Sequence, residues 1–299
     1  MSSTGCGGLV LAAPAKLNLF LEVLGKRPDG YHALETLMVA VDLFDTLELR
    51  PRPDGAIVLE CDSPGLPTGP ENLVYKAAER LRAKANRPDL GATIRLTKRI
   101  PAQAGMAGGS SDAAAAIEGL NAVWNLGLGK PELAAVAAEV GSDVAFFLHP
   151  PAAWCTGRGE IVQPEHGRRA LDFVVVNPPV GVSTAAAFQA LQVPETPRSG
   201  TATREAFRAG DAAALGRVLF NRLQAPAFGL APLVESVYRR LAGLNPAGCL
   251  MSGSGSAVFA LCRDRAEAVR VAAAFRSATP PGEPESRVST VRSLHIDPV

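Results

Sequence analysis

Lysine is scarce in this chain. Only six of its 30 basic residues are lysine (Lys16, Lys26, Lys76, Lys84, Lys98 and Lys130), so a catalytic ammonium has few candidates. No charge of one sign dominates. A net charge of +1 and an isoelectric point near 7.7 remove the global field that would gather nucleic acid or an anionic membrane, and any anion site must be local. The five cysteines (Cys6, Cys61, Cys155, Cys249, Cys262) are odd in number and contain no Cys-x-x-Cys pair. That speaks against a disulfide framework or a zinc site and fits a reducing cytoplasm. The histidines (His32, His149, His166, His295) are equally dispersed, so no metal cluster is visible. No apolar run approaches the ~18 residues of a membrane span. No basic residue precedes Lys16, so the apolar stretch 9–13 lacks the positive flank of a secretory signal and reads as a ragged terminus entering a strand. No obligate protein partner is indicated.

What is present is ordinary globular composition: 299 residues, 47% hydrophobic and 20% charged, enough for two domains with separate cores. Residues 15–23 alternate, with Ala15, Leu17, Leu19, Leu21 and Val23 on one face and Lys16, Asn18, Phe20 and Glu22 on the other, which predicts a half-buried strand. Pro28-Asp29-Gly30 makes a turn, and extended segments follow through Leu49. A helix beginning near Asn72 carries Val74, Ala77, Ala78 and Leu81 at helical spacing. Residues 93–100 alternate again. A further helix carries Ala113, Ala116, Ile117, Leu120 and Trp124 up to Gly127, and another starts at Pro131 and carries Leu133, Val136, Ala137 and Val140 up to Gly141. Beyond a strand at 171–177, helical patterns predominate through Leu244, and strands follow near 257–262 and 287–295. The pattern predicts an α+β fold, with a boundary near Arg168 separating residues 1–168 from 169–299.

The strongest local feature is Ala104-Gly105-Met106-Ala107-Gly108-Gly109-Ser110-Ser111-Asp112, placed between an alternating strand and an alanine-rich helix. Small residues let a ligand approach the backbone, and unpaired amides at a helix start bind anions. Ser110 and Ser111 add hydroxyls for phosphate or its magnesium. No Gly-Lys-Ser/Thr follows, so this is not a Walker loop, and no acidic strand end stands where a dinucleotide fold needs one. A well-capped helix start without a ligand is the plain alternative.

Four segments, in order, resemble the GHMP superfamily of galactokinase, homoserine kinase, mevalonate kinase and phosphomevalonate kinase. They are Pro14-Ala15-Lys16-Leu17-Asn18-Leu19, the loop 105–111, Gly141-Ser142-Asp143-Val144 and Met251-Ser252-Gly253-Ser254-Gly255-Ser256. Within it, Gly30-Tyr31-His32 resembles the 4-diphosphocytidyl-2-C-methyl-D-erythritol kinases. The resemblance covers essentially the whole chain. It implies an N-terminal ATP-binding domain like the second domain of ribosomal protein S5, a ferredoxin-like C-terminal domain on the substrate side, and an active site in the cleft between them. It further implies transfer of a phosphoryl group from ATP, with Mg2+, to the 2-hydroxyl of the diphosphocytidyl alcohol in the non-mevalonate isoprenoid pathway.

The resemblance also implies roles. Asp143 is the general base, which a phosphoryl transfer to an alcohol requires, and Lys16 matches the family's catalytic lysine. A dipole-stabilised helix-start aspartate is the bland alternative for Asp143, and a solvated strand lysine for Lys16. Asn18 shares the strand face of Lys16. Tyr31 and Phe188 would sandwich cytosine while His32 bonds its edge, with Thr184 nearby. Asn72, Leu73 and Val74 match an adenine-holding segment. Gly253, Ser254 and Gly255 would turn amides toward the substrate diphosphate. Ala107 departs from the glycine that many relatives carry. No metal-ligating carboxylate is assignable. Two rival readings are another kinase of the superfamily, such as homoserine kinase, and a non-catalytic nucleotide-binding regulator on the same fold.

Overall fold

The computed structural model describes residues 2–4, 8–149 and 151–295. Strands β1 (Ser2–Thr4), β2 (Gly8–Lys26), β3 (His32–Arg52) and β4 (Ile57–Cys61) come first, then α1 (Leu73–Lys84) and β5 (Gly91–Thr97). Helices α2 (Gly108–Val123) and α3 (Lys130–Val140) and a 3-10 turn (Ala145–Leu148) precede β6 (Ala152–Thr156), β7 (Ile161–Pro164) and β8 (Asp172–Asn177). Helices α4 (Thr184–Gln189), α5 (Thr201–Ala209) and α6 (Ala212–Val218) follow, then β9 (Phe220–Asn221), α7 (Gln224–Leu230) and α8 (Pro232–Gly243). The described chain closes with β10 (Gly248–Met251), β11 (Val258–Cys262), α9 (Arg265–Ser277) and β12 (Arg287–Arg292). This is the mixed α+β composition expected.

The chain forms two compact units, interleaved in sequence rather than divided once near Arg168, because β2 and β3 each run through both. One unit comprises residues 1–15, 43–100 and 107–149. In it the later half of β3 pairs antiparallel with β5, Thr46 opposite Thr97, and β4 runs parallel to β5. Helix α1 buries Val74, Ala77, Ala78 and Leu81, and α3 buries Leu133, Val136, Ala137 and Val140, the apolar stripes that their spacing predicts. Helix α2 lies so close to its neighbours that a Cβ on Gly119 would stand 2.3 Å from Leu49 Cδ1 and 2.4 Å from Leu11 Cδ1, which explains a glycine in mid-helix.

The other unit comprises residues 16–42, 101–106 and 150–299. The early half of β3 pairs with β6 and β6 with β7, while β2 pairs parallel with β9, Phe20 opposite Phe220. An antiparallel sheet of order β10-β11-β8-β12 forms the rest. Its Val174, Val176, Val258, Ala260 and Cys262 pack in one core with Val234, Val237 and Leu241 of α8 and Val271 and Phe275 of α9.

Three departures from the sequence reading matter for the site. Strand β2 is buried on both faces over residues 16–23: Lys16, Asn18, Phe20 and Glu22 are as inaccessible as the leucines between them. Helix α2 starts at Gly108, not near Ala113, so Gly108 to Asp112 form its first turns, entered through Ala107 at a left-handed φ of 54°. Strand β5 ends at Thr97, and Ile100 lies beyond it, its N–H donated to Asp45 Oδ1 at 2.8 Å.

Candidate active site

Lys16, on β2, is only 3% exposed, and its Nζ donates to Asn18 Oδ1 at 2.5 Å and to the Gly105 carbonyl at 2.8 Å. Alternation along the strand puts the two side chains on one face, as predicted. Asn18 Nδ2 in turn donates to Thr36 Oγ1 at 2.8 Å, and Thr36 Oγ1 to the Phe20 carbonyl at 2.6 Å. This chain fixes which end of the Asn18 amide faces the ammonium. Thr36 carries no motif, and nothing in the sequence singled it out.

Two glycine loops close on this lysine. The 104–106 segment is held on both sides by main chain, Lys16 N donating to Met106 O and Ala257 N to Ala104 O, each at 3.1 Å. Ser252 Oγ donates to Gly105 O at 3.0 Å. The approach is so tight that a Cβ on Gly105 would stand 2.0 Å from the Ser252 carbonyl oxygen, and one on Gly253 would stand 3.2 Å from Lys16 Nζ. Gly105, Gly253 and Gly255 all have positive φ. Glycine is required here by both backbone conformation and space.

Thr184 Oγ1 and Ser254 Oγ lie 2.8 Å apart, so two residues assigned to the acceptor side from sequence share a hydrogen bond. His32 stacks on Phe188. Burial first, and then the charge of Lys26, holds the His32 imidazole below its ordinary pKa, so it is neutral around pH 7. Tyr31 is 52% exposed, and the Arg158 guanidinium lies 4.6 Å above its ring.

In the other unit, the start of α2 is anchored from beneath. Lys98 Nζ donates to Asp112 Oδ2 at 2.7 Å and also to Asp45 Oδ2, while Asp45 Oδ1 accepts the N–H of Arg99. Lys98 stood in the sequence only as one of the six lysines, and Asp45 carried no motif. Burial, the largest influence, pushes the Asp112 carboxyl up to about 7, Lys98 pulls against it, and Asp45 adds to the rise. Two carboxylates facing one ammonium leave one excess negative charge, and a proton on Asp112 relieves it. Asp112 is thus a buried anchor beneath the loop. Ser111 Oγ is also buried and makes no hydrogen bond, whereas Ser110 is partly accessible.

Asn72 caps α1, its Oδ1 accepting Val74 N at 2.9 Å and its Nδ2 donating to Pro67 O at 2.8 Å, so its side chain holds local structure. Leu73 Cδ1 lies 3.7 Å from the point where a Gly109 Cβ would be, which places this segment beside the start of α2. Asp143 sits partly exposed in the turn 142–144. The following 3-10 turn has Val144 at its N-cap and no side-chain cap.

A family model described as GHMP kinases N terminal domain matches residues 72–150, and one described as GHMP kinases C terminal matches residues 203–280. A 4-diphosphocytidyl-2-C-methyl-D-erythritol kinase of Pelotomaculum thermopropionicum is 44% identical over 266 residues, 88% of this chain and 92% of that protein. The chain belongs to the GHMP kinase family. A like-named kinase of Shouchella clausii is 40% identical over 262 residues, 87% of this chain and 88% of that one. Among solved structures, a 4-(cytidine 5'-diphospho)-2C-methyl-D-erythritol kinase superposes on this GHMP kinase with a TM-score of 0.77 at 36% identity, covering 95% of this chain and 99% of that one. A homoserine kinase from Cytophaga hutchinsonii gives the same TM-score at 20% identity, covering 99% and 97%, which shows the shared fold alone. As a member of this family the chain is a small-molecule kinase with N- and C-terminal GHMP domains.

Proposed function

We propose that this kinase transfers the γ-phosphoryl group of ATP to the 2-hydroxyl of 4-diphosphocytidyl-2-C-methyl-D-erythritol, a step of the non-mevalonate route to isoprenoid precursors. The observation that carries the reading is the 44% identity, across 88% of the chain, to a kinase of that name. The homoserine kinase relative shares far less sequence on the same fold. Retention of Lys16 and Asp143 speaks against a non-catalytic regulator.

In this reading Asp143 accepts the acceptor's hydroxyl proton as its oxygen bonds to the γ-phosphorus and the bond from that phosphorus to the β-bridging oxygen breaks. Lys16, oriented by Asn18 and the Gly105 carbonyl, counters the charge of the transferring group. Residues 104–112 cradle the nucleotide phosphates, with Asp112 acting as the anchor of the cradle, and Asn72, Leu73 and Val74 border the adenine. Asn18, Tyr31, His32, Thr184, Phe188 and residues 253–255 serve the acceptor. Magnesium, when bound with ATP, neutralises phosphate charge. Among the described residues no three His, Cys, Asp or Glu side chains cluster as a cage, which suits an ion held largely by phosphate oxygens and water. Ser110 is the hydroxyl that fits this duty, because Ser111 is buried. We place the enzyme in the cytoplasm. Among the described residues no helix is long and apolar enough to cross a membrane.

The test is ADP release with the diphosphocytidyl alcohol, homoserine and mevalonate offered side by side. Turnover confined to the first is expected, and faster turnover of either other alcohol overturns the substrate. Asp143→Ala should lower kcat by roughly 10²–10⁴ while ATP still binds, and a near-normal kcat overturns the base assignment.

A further inference from the structure

Asn221 sits on the two-residue strand β9, 5% exposed, in a stretch where helical patterns predominate in the sequence. Its side chain is fully engaged in one task. Nδ2 donates to the carbonyls of Met251 and Gly253, both at 2.7 Å, and Oδ1 accepts the N–H of Leu223 at 2.9 Å. The bridged carbonyls flank Ser252, whose hydroxyl reaches Gly105 O, the same oxygen that receives Lys16 Nζ. Strand β9 itself pairs with β2 at Phe20 and Leu21, a few residues beyond Lys16. One buried amide thereby ties the glycine loop to the strand that carries the lysine.

We propose that Asn221 is a positioning residue for the acceptor: by clamping both ends of the Ser252 turn, which the Gly255 N–H closes on the Ser252 carbonyl at 2.9 Å, it holds the amides of residues 253 and 254 in register with Lys16. The proposal rests on the reading of that loop as the seat of the acceptor's diphosphate. With both carbonyls pulled toward Asn221, the turn cannot rotate its amides away, so their orientation exists before substrate arrives. A carboxylate in place of the amide keeps the shape and the bond to Leu223 N but turns two attractions into two repulsions.

Asn221→Asp and Asn221→Ser are the test, with Ser254→Ala as the control on the loop itself. Melting curves establish folding, and steady-state kinetics separate the two substrates. The expected result is an acceptor KM raised by roughly 10-fold or more, from two lost hydrogen bonds, with the ATP KM within about twofold of the parent. An unchanged acceptor KM in a folded variant overturns the proposal, as does a parallel rise in both KM values. Failure of both variants to fold also overturns it, because Asn221 is then only part of the core. If Ser254→Ala raises the acceptor KM while the Asn221 variants do not, the clamp fails and the loop assignment stands. If none of the three moves it, the loop assignment itself fails.

Discussion

The imidazole of His32 lies stacked on the phenyl ring of Phe188, centroids 4.8 Å apart and planes inclined by 22°. A base between them would need about twice the ~3.5 Å separation of stacked carbon atoms, so these two rings are not the two slabs of a sandwich. They form one slab, with Phe188 backed by the core of its unit. Phe188→Ala should raise the acceptor KM about 5-fold or more, and leave the ATP KM unchanged, because base stacking and the seat of His32 are lost together. Michaelis constants for both substrates check this.

In its proposed place beside the acceptor, His32 should also set a pH dependence. Burial, and then Lys26, depresses its pKa, so the neutral ring is present through neutral pH and is lost only on the acid side. The acceptor KM should stay flat from about pH 7 upward and rise below the ordinary histidine value of about 6.5. In His32→Gln that rise should disappear.

Gly105 admits no side chain. At φ +71° and with the Ser252 carbonyl oxygen 2.0 Å from a would-be Cβ, Gly105→Ala must displace one of the two loops that close on Lys16. Backbone strain alone should cost about 1–3 kcal/mol of stability, visible as a lowered Tm, and kcat should fall with it. The neighbouring Ala107, already left-handed, should accept glycine with a small gain in stability.

Asp112 links stability to pH. Its folded pKa, pushed up to about 7, lies above the ordinary aspartate value of 3.8, so between those values the folded protein holds a proton that the unfolded chain has released. Stability therefore falls as pH rises through that window, by this group's contribution. Urea midpoints at pH 5 and pH 8 should show the difference, and Asp112→Asn should reduce it.

Glu22 works in the opposite sense. Burial raises its pKa, but Arg222 and the N–H groups of Arg198 and Val23 outweigh that and hold it below 4.5. Its contribution is complete above the ordinary glutamate range and lost as pH falls below the folded value. Arg222→Ala, which strands the buried carboxylate, should destabilise by about 3–5 kcal/mol in a denaturant melt.

The helices were legible because periodicity reports burial directly: the stripes of α1 and α3 are the ones their spacing predicts. The polar face of β2 was not legible as buried. Alternation of Lys16, Asn18 and Glu22 with leucines is the signature of a strand facing water, and only partners distant in sequence, Gly105, Ser252 and Arg222, reverse it. The same holds for Lys98 and Asp45, which look like solvated charges until the fold sets Asp112 beside them. Short strands were missed where apolar runs are ambiguous: β9 has two residues and β10 four, too few for a period. The candidate loops were legible from glycine, but not the side chains that hold them, since Thr36 and Asn221 carry no local signal.

Cys262 ends β11, in the interior of its sheet, and is 1% exposed. Burial, followed by the negative charges of Glu267, Asp172 and Asp264, pushes its thiol up to about 12, so at working pH it is neither reachable nor nucleophilic. Once the sheet opens, the sulfur reverts to an ordinary reactive thiol. The enzyme thereby carries an intrinsic clock: the rate at which this one sulfur takes up an alkylating reagent times the fluctuations that expose the core beneath this sheet.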